Sequence, residues 1–218
     1  EKIPFAKLFD GIEPIYDEIL NKVKEIIEHT EFIGGEEVAL FEKEFAEFTE
    51  SKYAIGTSNG TDSIIIALKA LAIGPGDTVL VPATTFIATA DAVTAVGANV
   101  EFIDIEKDYY TIDPDKIIKY LKGPNGHKVK AIIPVHLYGQ MADMERISQI
   151  AKEFNLKLIE DAAQAHGSKL NGHQPGYYSD IATYSFYPGK NLGAFGDAGA
   201  ITTNNEELYI KCKMLVNH

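Results

Sequence analysis

From residue 53 onward the chain alternates short apolar runs with helical windows, and this alternation limits the folds open to it more than any other feature. The runs are Tyr53–Thr57, Thr78–Val81, Val100–Ile103, Lys130–Val135, Lys157–Ile159, Ala182–Phe186 and Ala200–Thr203. Between them apolar residues recur at helical spacing over Thr61–Ala72, Ile87–Ala95, Pro114–Leu121, Met144–Phe154 and Asn205–Leu215. Pro75-Gly76-Asp77 is a turn signal before a strand, and Asp113-Pro114 starts a helix with proline at the first helical position. The pattern predicts an α/β fold: a mainly parallel sheet with helices on both faces. Ligands of such sheets bind beyond the carboxyl ends of the strands, so the segments that follow strands are where chemistry is expected.

Two helical windows precede the sheet. One, from about residue 14 to 29, carries Ile15, Ile19, Val23, Ile26 and Ile27. The other follows Gly34-Gly35 and carries Val38, Phe41, Phe45 and Phe48 on one face. The expected division is therefore an N-terminal helical arm over 1–52 and one large domain over 53–218. A chain of 218 residues builds a core without staples, and its single cysteine, Cys212, excludes a disulfide framework or a cysteine zinc site. Twenty basic against 32 acidic residues give a net charge of −12. That argues against sequence-independent nucleic-acid binding but leaves open a small anion held by backbone N–H groups. Glu1-Lys2-Ile3-Pro4 has no basic-then-apolar leader pattern, and no apolar stretch approaches a membrane span, so a cytoplasmic protein without membrane partners is expected. The sequence stops at Asn217-His218 straight after a helical pattern, which reads as a fragment of a longer protein.

Three segments carry candidate chemistry. Gly56-Thr57-Ser58-Asn59-Gly60-Thr61-Asp62-Ser63 links the first strand to its helix. Its small and hydroxyl residues allow an oxyanion near the helix N-terminus, or else they are simply good caps. Ile159-Glu160-Asp161-Ala162-Ala163-Gln164-Ala165-His166 runs a strand into two acids, giving a pocket carboxylate or a helix-starting turn; His166 reads as a packing residue. Tyr184-Ser185-Phe186-Tyr187-Pro188-Gly189-Lys190-Asn191-Leu192-Gly193 ends a strand in aromatics and presents one lysine among small and apolar neighbours, which favours a partly enclosed amine usable as a nucleophile. Neither a Walker loop nor a GxGxxG dinucleotide fingerprint is present. An anion cradle, a carboxylate and an enclosed lysine, all at strand ends, are together what pyridoxal 5'-phosphate (PLP) needs: a phosphate site, a partner for the pyridine nitrogen and an amine for the aldehyde.

The ordered motifs make the resemblance specific. Phe32-Ile33-Gly34-Gly35-Glu36, Ser58-Asn59-Gly60-Thr61, Pro82-Ala83-Thr84-Thr85-Phe86-Ile87-Ala88-Thr89, Pro134-Val135-His136-Leu137-Tyr138-Gly139-Gln140, Glu160-Asp161-Ala162-Ala163-Gln164 and the Lys190 segment follow one another along essentially the whole chain. In this order they resemble the PLP-dependent nucleotide-sugar aminotransferases of the DegT/StrS type, in particular those acting on dTDP-3-keto-6-deoxyhexoses. The resemblance implies the large domain of a type I PLP aminotransferase over 53–218, with a smaller C-terminal domain that this chain lacks.

The same resemblance implies roles residue by residue. Lys190 is the Schiff-base lysine and Asp161 the acid under the pyridine nitrogen. Gln164 lies beside the cofactor's 3-hydroxyl, and Phe86 stacks on the ring. Gly60, Thr61 and Ser185 cradle the phosphate, and Asn217 reaches the phosphate of the neighbouring subunit, which implies a homodimer with shared sites. Tyr187 lines the sugar pocket, and His136, Tyr138 and Gln140 report on the choice of sugar. No metal is expected. The implied reaction is transamination from L-glutamate to a keto group of a nucleotide-linked deoxyhexose. The alternatives are a PLP enzyme acting on another keto-sugar or a cyclitol, and a non-catalytic regulatory or assembly subunit on the same fold.

Overall fold

Each apolar run forms a strand, and in the computed structural model the seven strands make one sheet in the order β1-β7-β6-β5-β4-β2-β3. The structure describes residues 3, 4 and 7–217; residues 1, 2, 5 and 6 of the expected arm, and His218, lie outside the described residues. The chain divides into two compact units, one up to Phe41 and one from Glu42 onward.

The first unit holds α1 (Leu8–Ile12), a 3-10 turn (Glu13–Ile15), α2 (Tyr16–His29) and the start of α3 (Glu36–Phe48). Helix α2 ends where Thr30 turns left-handed at φ 58° and its N–H reaches back to the carbonyls of Ile26 and Ile27. The expected apolar residues recur on and just before α2, and none is buried: Ile19 and Ile26 are half-buried, and Ile15, Val23 and Ile27 are exposed.

In the second unit β2 (Thr78–Pro82), β3 (Asn99–Ile103), β4 (Val129–Ile132), β5 (Lys157–Asp161) and β6 (Ile181–Ser185) run parallel. β7 (Gly199–Thr203) runs antiparallel to both β6 and β1 (Tyr53–Thr57). The link from β6 to β7 carries no helix, and a parallel return normally needs a crossover helix, so the strand reverses. Strand residues alternate between two cores. Ile55, Val79, Val81, Ile159 and Ile201 pack with α4 (Gly60–Ala70), α5 (Ala88–Ala95) and α8 (Glu206–Val216). Leu80, Ile132 and Leu158 pack with α6 (Pro114–Leu121) and α7 (Met144–Glu153). Both layers are thus covered, as the sequence pattern requires. The expected strand Lys130–Val135 stops at Ile132: Pro134 has no N–H for the ladder, which resumes only as an isolated bridge between Val135 and Asp161.

One fully buried polar cluster ties the ends of β4 and β5 together. The backbone N–H of Ala142 donates to His136 Nδ1 (3.2 Å), so the ring proton sits on Nε2 and is donated to Glu160 Oε2 (2.8 Å). The other Glu160 oxygen accepts from the Gly176 N–H (2.7 Å) and the Ser179 hydroxyl (2.6 Å). His136 is thereby committed to the interior and is not among the residues that line the cavity described below. Replacing Glu160 by Ala strands two buried donors, the His136 ring N–H and the Gly176 N–H, and urea unfolding should show a loss of about 3–5 kcal/mol.

Candidate active site

A cavity of about 700 Å³ opens where β1, β2, β5 and β6 end and where antiparallel β7 begins. β1 stops at Thr57, and Asn59 caps α4, its Oδ1 accepting from the Asp62 N–H (2.8 Å). The uncapped N–H groups of the first turn and the positive end of the helix dipole then face the cavity at Gly60 and Thr61. Ser185, at the end of β6, forms the other wall. The packing here leaves no room for side chains. A Cβ on Gly60 would lie 2.7 Å from Ser185 Cβ, and one on Gly199 would lie 2.5 Å from the Asn59 carbonyl. Segments distant in sequence are thus interlocked into a backbone-lined concavity that suits a phosphate. Gly60→Ala should lower the melting temperature by the equivalent of about 1–3 kcal/mol and cut affinity for phosphate esters, read by thermal melting and by titration.

Asp161 is the last residue of β5 and is 6% exposed. A buried carboxylate needs donors, and it has two: Thr89 Oγ1 to Oδ2 (2.7 Å) and the Ala163 N–H to Oδ1 (3.2 Å). Gln164 accepts the Tyr138 N–H on its Oε1 (2.7 Å), which leaves its Nε2 as the group it can offer a ligand. Tyr138 itself takes φ 54° and is 88% exposed. Beyond β6, the Lys190 N–H closes a turn onto the Tyr187 carbonyl (2.8 Å) and sets a half-buried lysine over the cavity. Phe86 and Tyr187 stand exposed at its mouth.

Of the residues named from the sequence, Gly60, Thr61, Phe86, Asp161, Gln164, Ser185, Tyr187 and Lys190 line this one cavity. Asn217 does not: it is exposed at the end of α8. His166 packs against Tyr184 and Phe186, with centroids 5.6 and 5.5 Å away, and burial lowers its pKa. Sequence reasoning missed Thr85, Asp62 and Asp197, which line the cavity, and Thr89, which reaches it through Asp161. For Thr85 and Thr89 the four-residue spacing at a helix start was the available signal. The described lining residues include three acids, Asp62, Asp161 and Asp197, against the single amine of Lys190. The chain's one arginine, Arg146, is instead paired with Asp115 (2.6 Å). Among the described residues no His/Cys/Asp/Glu group is placed to hold a metal, and no helix is long and apolar enough to cross a membrane.

Comparison with known proteins gives concordant results. The profile of the DegT/DnrJ/EryC1/StrS aminotransferase family matches residues 14–218. A pleiotropic regulatory protein of Geobacillus stearothermophilus is 45% identical over 99% of this chain and 57% of its own length. The dTDP-3-amino-3,4,6-trideoxy-alpha-D-glucose transaminase of Streptomyces venezuelae is 39% identical over 100% of this chain and 56% of its own length. A crystal structure of ntda from Bacillus subtilis with bound cofactor PMP superposes with a TM-score of 0.87 at 43% identity, covering 97% of this chain and 47% of that one. The chain therefore spans a little over half the length of the curated relatives it matches.

Proposed function

This chain belongs to the DegT/DnrJ/EryC1/StrS aminotransferase family, and on that premise we propose that the protein is a PLP-dependent transaminase that aminates a keto group of a nucleotide-linked deoxyhexose. The observation that carries this reading is the meeting of Lys190, Asp161 and the Gly60–Thr61–Ser185 cradle in one cavity. The cradle suits the cofactor's phosphate because Gly60, which packs too close to Ser185 for any Cβ, leaves the first-turn N–H groups of α4 and the Ser185 hydroxyl at the cavity wall. When bound, PLP supplies an electron sink for the carbon attached to the transferred nitrogen. Gly60, Thr61 and Ser185 would bind the phosphate through N–H and hydroxyl donors, Asp161 would hold the pyridine nitrogen, Gln164 Nε2 would serve the 3-hydroxyl, and Phe86 and Tyr187 would cover the ring and the sugar. Lys190 Nζ is the amine that would hold the cofactor through its aldehyde. During turnover it takes the proton from the α-carbon of the amino donor, L-glutamate, and delivers one to the sugar carbon that receives the amine.

The domain arrangement proposed is a helical arm over 1–52 and a PLP-binding domain over 53–218, completed by the family's smaller C-terminal domain; the setting is the cytoplasm. A homodimer with shared sites is favoured by electrostatics. A cofactor phosphate and a sugar nucleotide bring several negative charges to a cavity whose described lining already holds three acids and one amine. Offsetting charge then comes from outside this cavity's own walls, and Asn217 of a second copy would add a neutral hydrogen-bond donor. The name of the Geobacillus relative favours a second reading, a regulatory subunit on the same fold. The presence of Lys190 and Asp161 ranks it behind transamination.

The deciding experiment records the absorbance of the intact protein with PLP before and after borohydride, and then after glutamate with a panel of keto-sugar nucleotides and a cyclitol ketone. A band fixed covalently by reduction and converted by glutamate supports the transaminase, and the panel identifies the acceptor. No PLP-dependent band overturns the reading in favour of the regulator.

A further inference from the structure

Asp161 does not stand alone at the cavity floor. Its Oδ2 accepts from Thr89 Oγ1 (2.7 Å), and Thr89 Oγ1 lies 2.8 Å from Thr85 Oγ1. The direction of this chain follows from chemistry. A carboxylate has no proton to give, so Thr89 donates to Asp161. The Thr89 oxygen is then left to accept, and the donor within reach is the Thr85 hydroxyl. Thr89 is 1% exposed, in the first turn of α5, while half-buried Thr85 precedes that helix and lines the cavity. Oδ1 is held separately by the Ala163 N–H (3.2 Å). Two donors leave the carboxylate with lone pairs to spare, and its remaining open side is the cavity.

We propose that Thr89 is a positioning residue: through the Thr85–Thr89–Asp161 chain it fixes the Asp161 carboxylate as an acceptor turned toward the pyridine nitrogen of the cofactor. The inference rests on the PLP reading above and adds residues that reading does not use. Two aligned hydroxyl dipoles end on a carboxylate that is 6% exposed, where a charge-assisted hydrogen bond is strong and a missing donor is costly. A valine at position 89 keeps the shape and deletes the donor, whereas serine keeps the donor and deletes a methyl group. A purely structural threonine would respond in the opposite order.

The test uses the intact protein and two readouts: PLP affinity by absorbance titration, and the nitrogen-15 chemical shift of ring-labelled PLP, which reports the proton on the pyridine nitrogen. Thr89→Val should weaken PLP binding by about tenfold or more and move the ring signal toward the unprotonated form. Thr89→Ser should restore both, and Thr85→Val should shift both in the same direction by less. Unchanged readouts in Thr89→Val, or equal losses in Thr89→Ser, overturn the inference while the wild-type protein still binds PLP. If Thr89→Val fails to fold on thermal melting, an unchanged ring signal in Thr85→Val overturns it instead. If the wild-type protein takes up no PLP, the cofactor reading and this inference fall together.

Discussion

Lys190→Ala should abolish turnover, with a fall of at least ~10⁴-fold in kcat, because one side chain supplies both the nucleophilic amine and the proton carrier. Borohydride should no longer fix the cofactor to the chain. The melting temperature should hold, since Lys190 is a half-buried turn residue whose backbone N–H makes the turn's closing bond to Tyr187. Lys190→Arg separates charge from chemistry. Arginine keeps the positive charge in a cavity lined by Asp62, Asp161 and Asp197, but it neither deprotonates nor attacks a carbonyl. Equal losses in both variants, read by steady-state transamination and by reductive trapping, identify the amine itself as the working group. Near-wild-type turnover in either variant would sink the assignment.

Asp161→Asn tests the opposite pole of the cavity. The substitution preserves volume in a site that is 6% exposed but removes the negative charge. Asparagine has one accepting oxygen where the carboxylate has two, so either Thr89 or Ala163 loses its acceptor. The expected result is a drop of about 10²–10³-fold in kcat, comparable to removing one preorganised electrostatic group. Cofactor affinity should fall at least as far as in Thr89→Val, but the untouched Gly60 and Ser185 walls should still allow saturation at high PLP. The measurement is single-turnover conversion of the glutamate-loaded enzyme, which keeps binding apart from chemistry. An unaltered single-turnover rate would show that Asp161 serves packing alone.

The sheet was readable because strands buried on both faces appear as unbroken apolar runs, and all seven runs form strands with ends displaced by a few residues at most. The reversed direction of β7 was not readable, since periodicity carries no sense of direction. Only the helix-free link before it gave a hint. The cavity walls at Gly60, Asp161 and Lys190 were readable because each lies at or within a few residues of a strand end. Thr89 was hidden for the opposite reason. It is one of several threonines near its helix, and only the folded chain brings it across 72 positions to Asp161. Asp197 follows a glycine and reads as an ordinary turn residue until the start of β7 turns it toward the cavity. The apolar stripe of α2 was readable from its period, but amphipathic periodicity specifies an apolar face and not what covers it.

β1 has a single neighbour in the sheet, and that neighbour is the last strand, with Tyr53 opposite Thr203 and Thr57 opposite Gly199. The same contact seats Gly199 against Asn59 at the cradle. During synthesis, therefore, the phosphate-binding floor has no shape until β7 has left the ribosome, although the loop that forms most of it emerged long before. A nascent chain cannot be rescued early by its vitamin-derived ligand. Its longest-range pairing, β1 with β7, has to close first, which makes cofactor uptake a late event in folding.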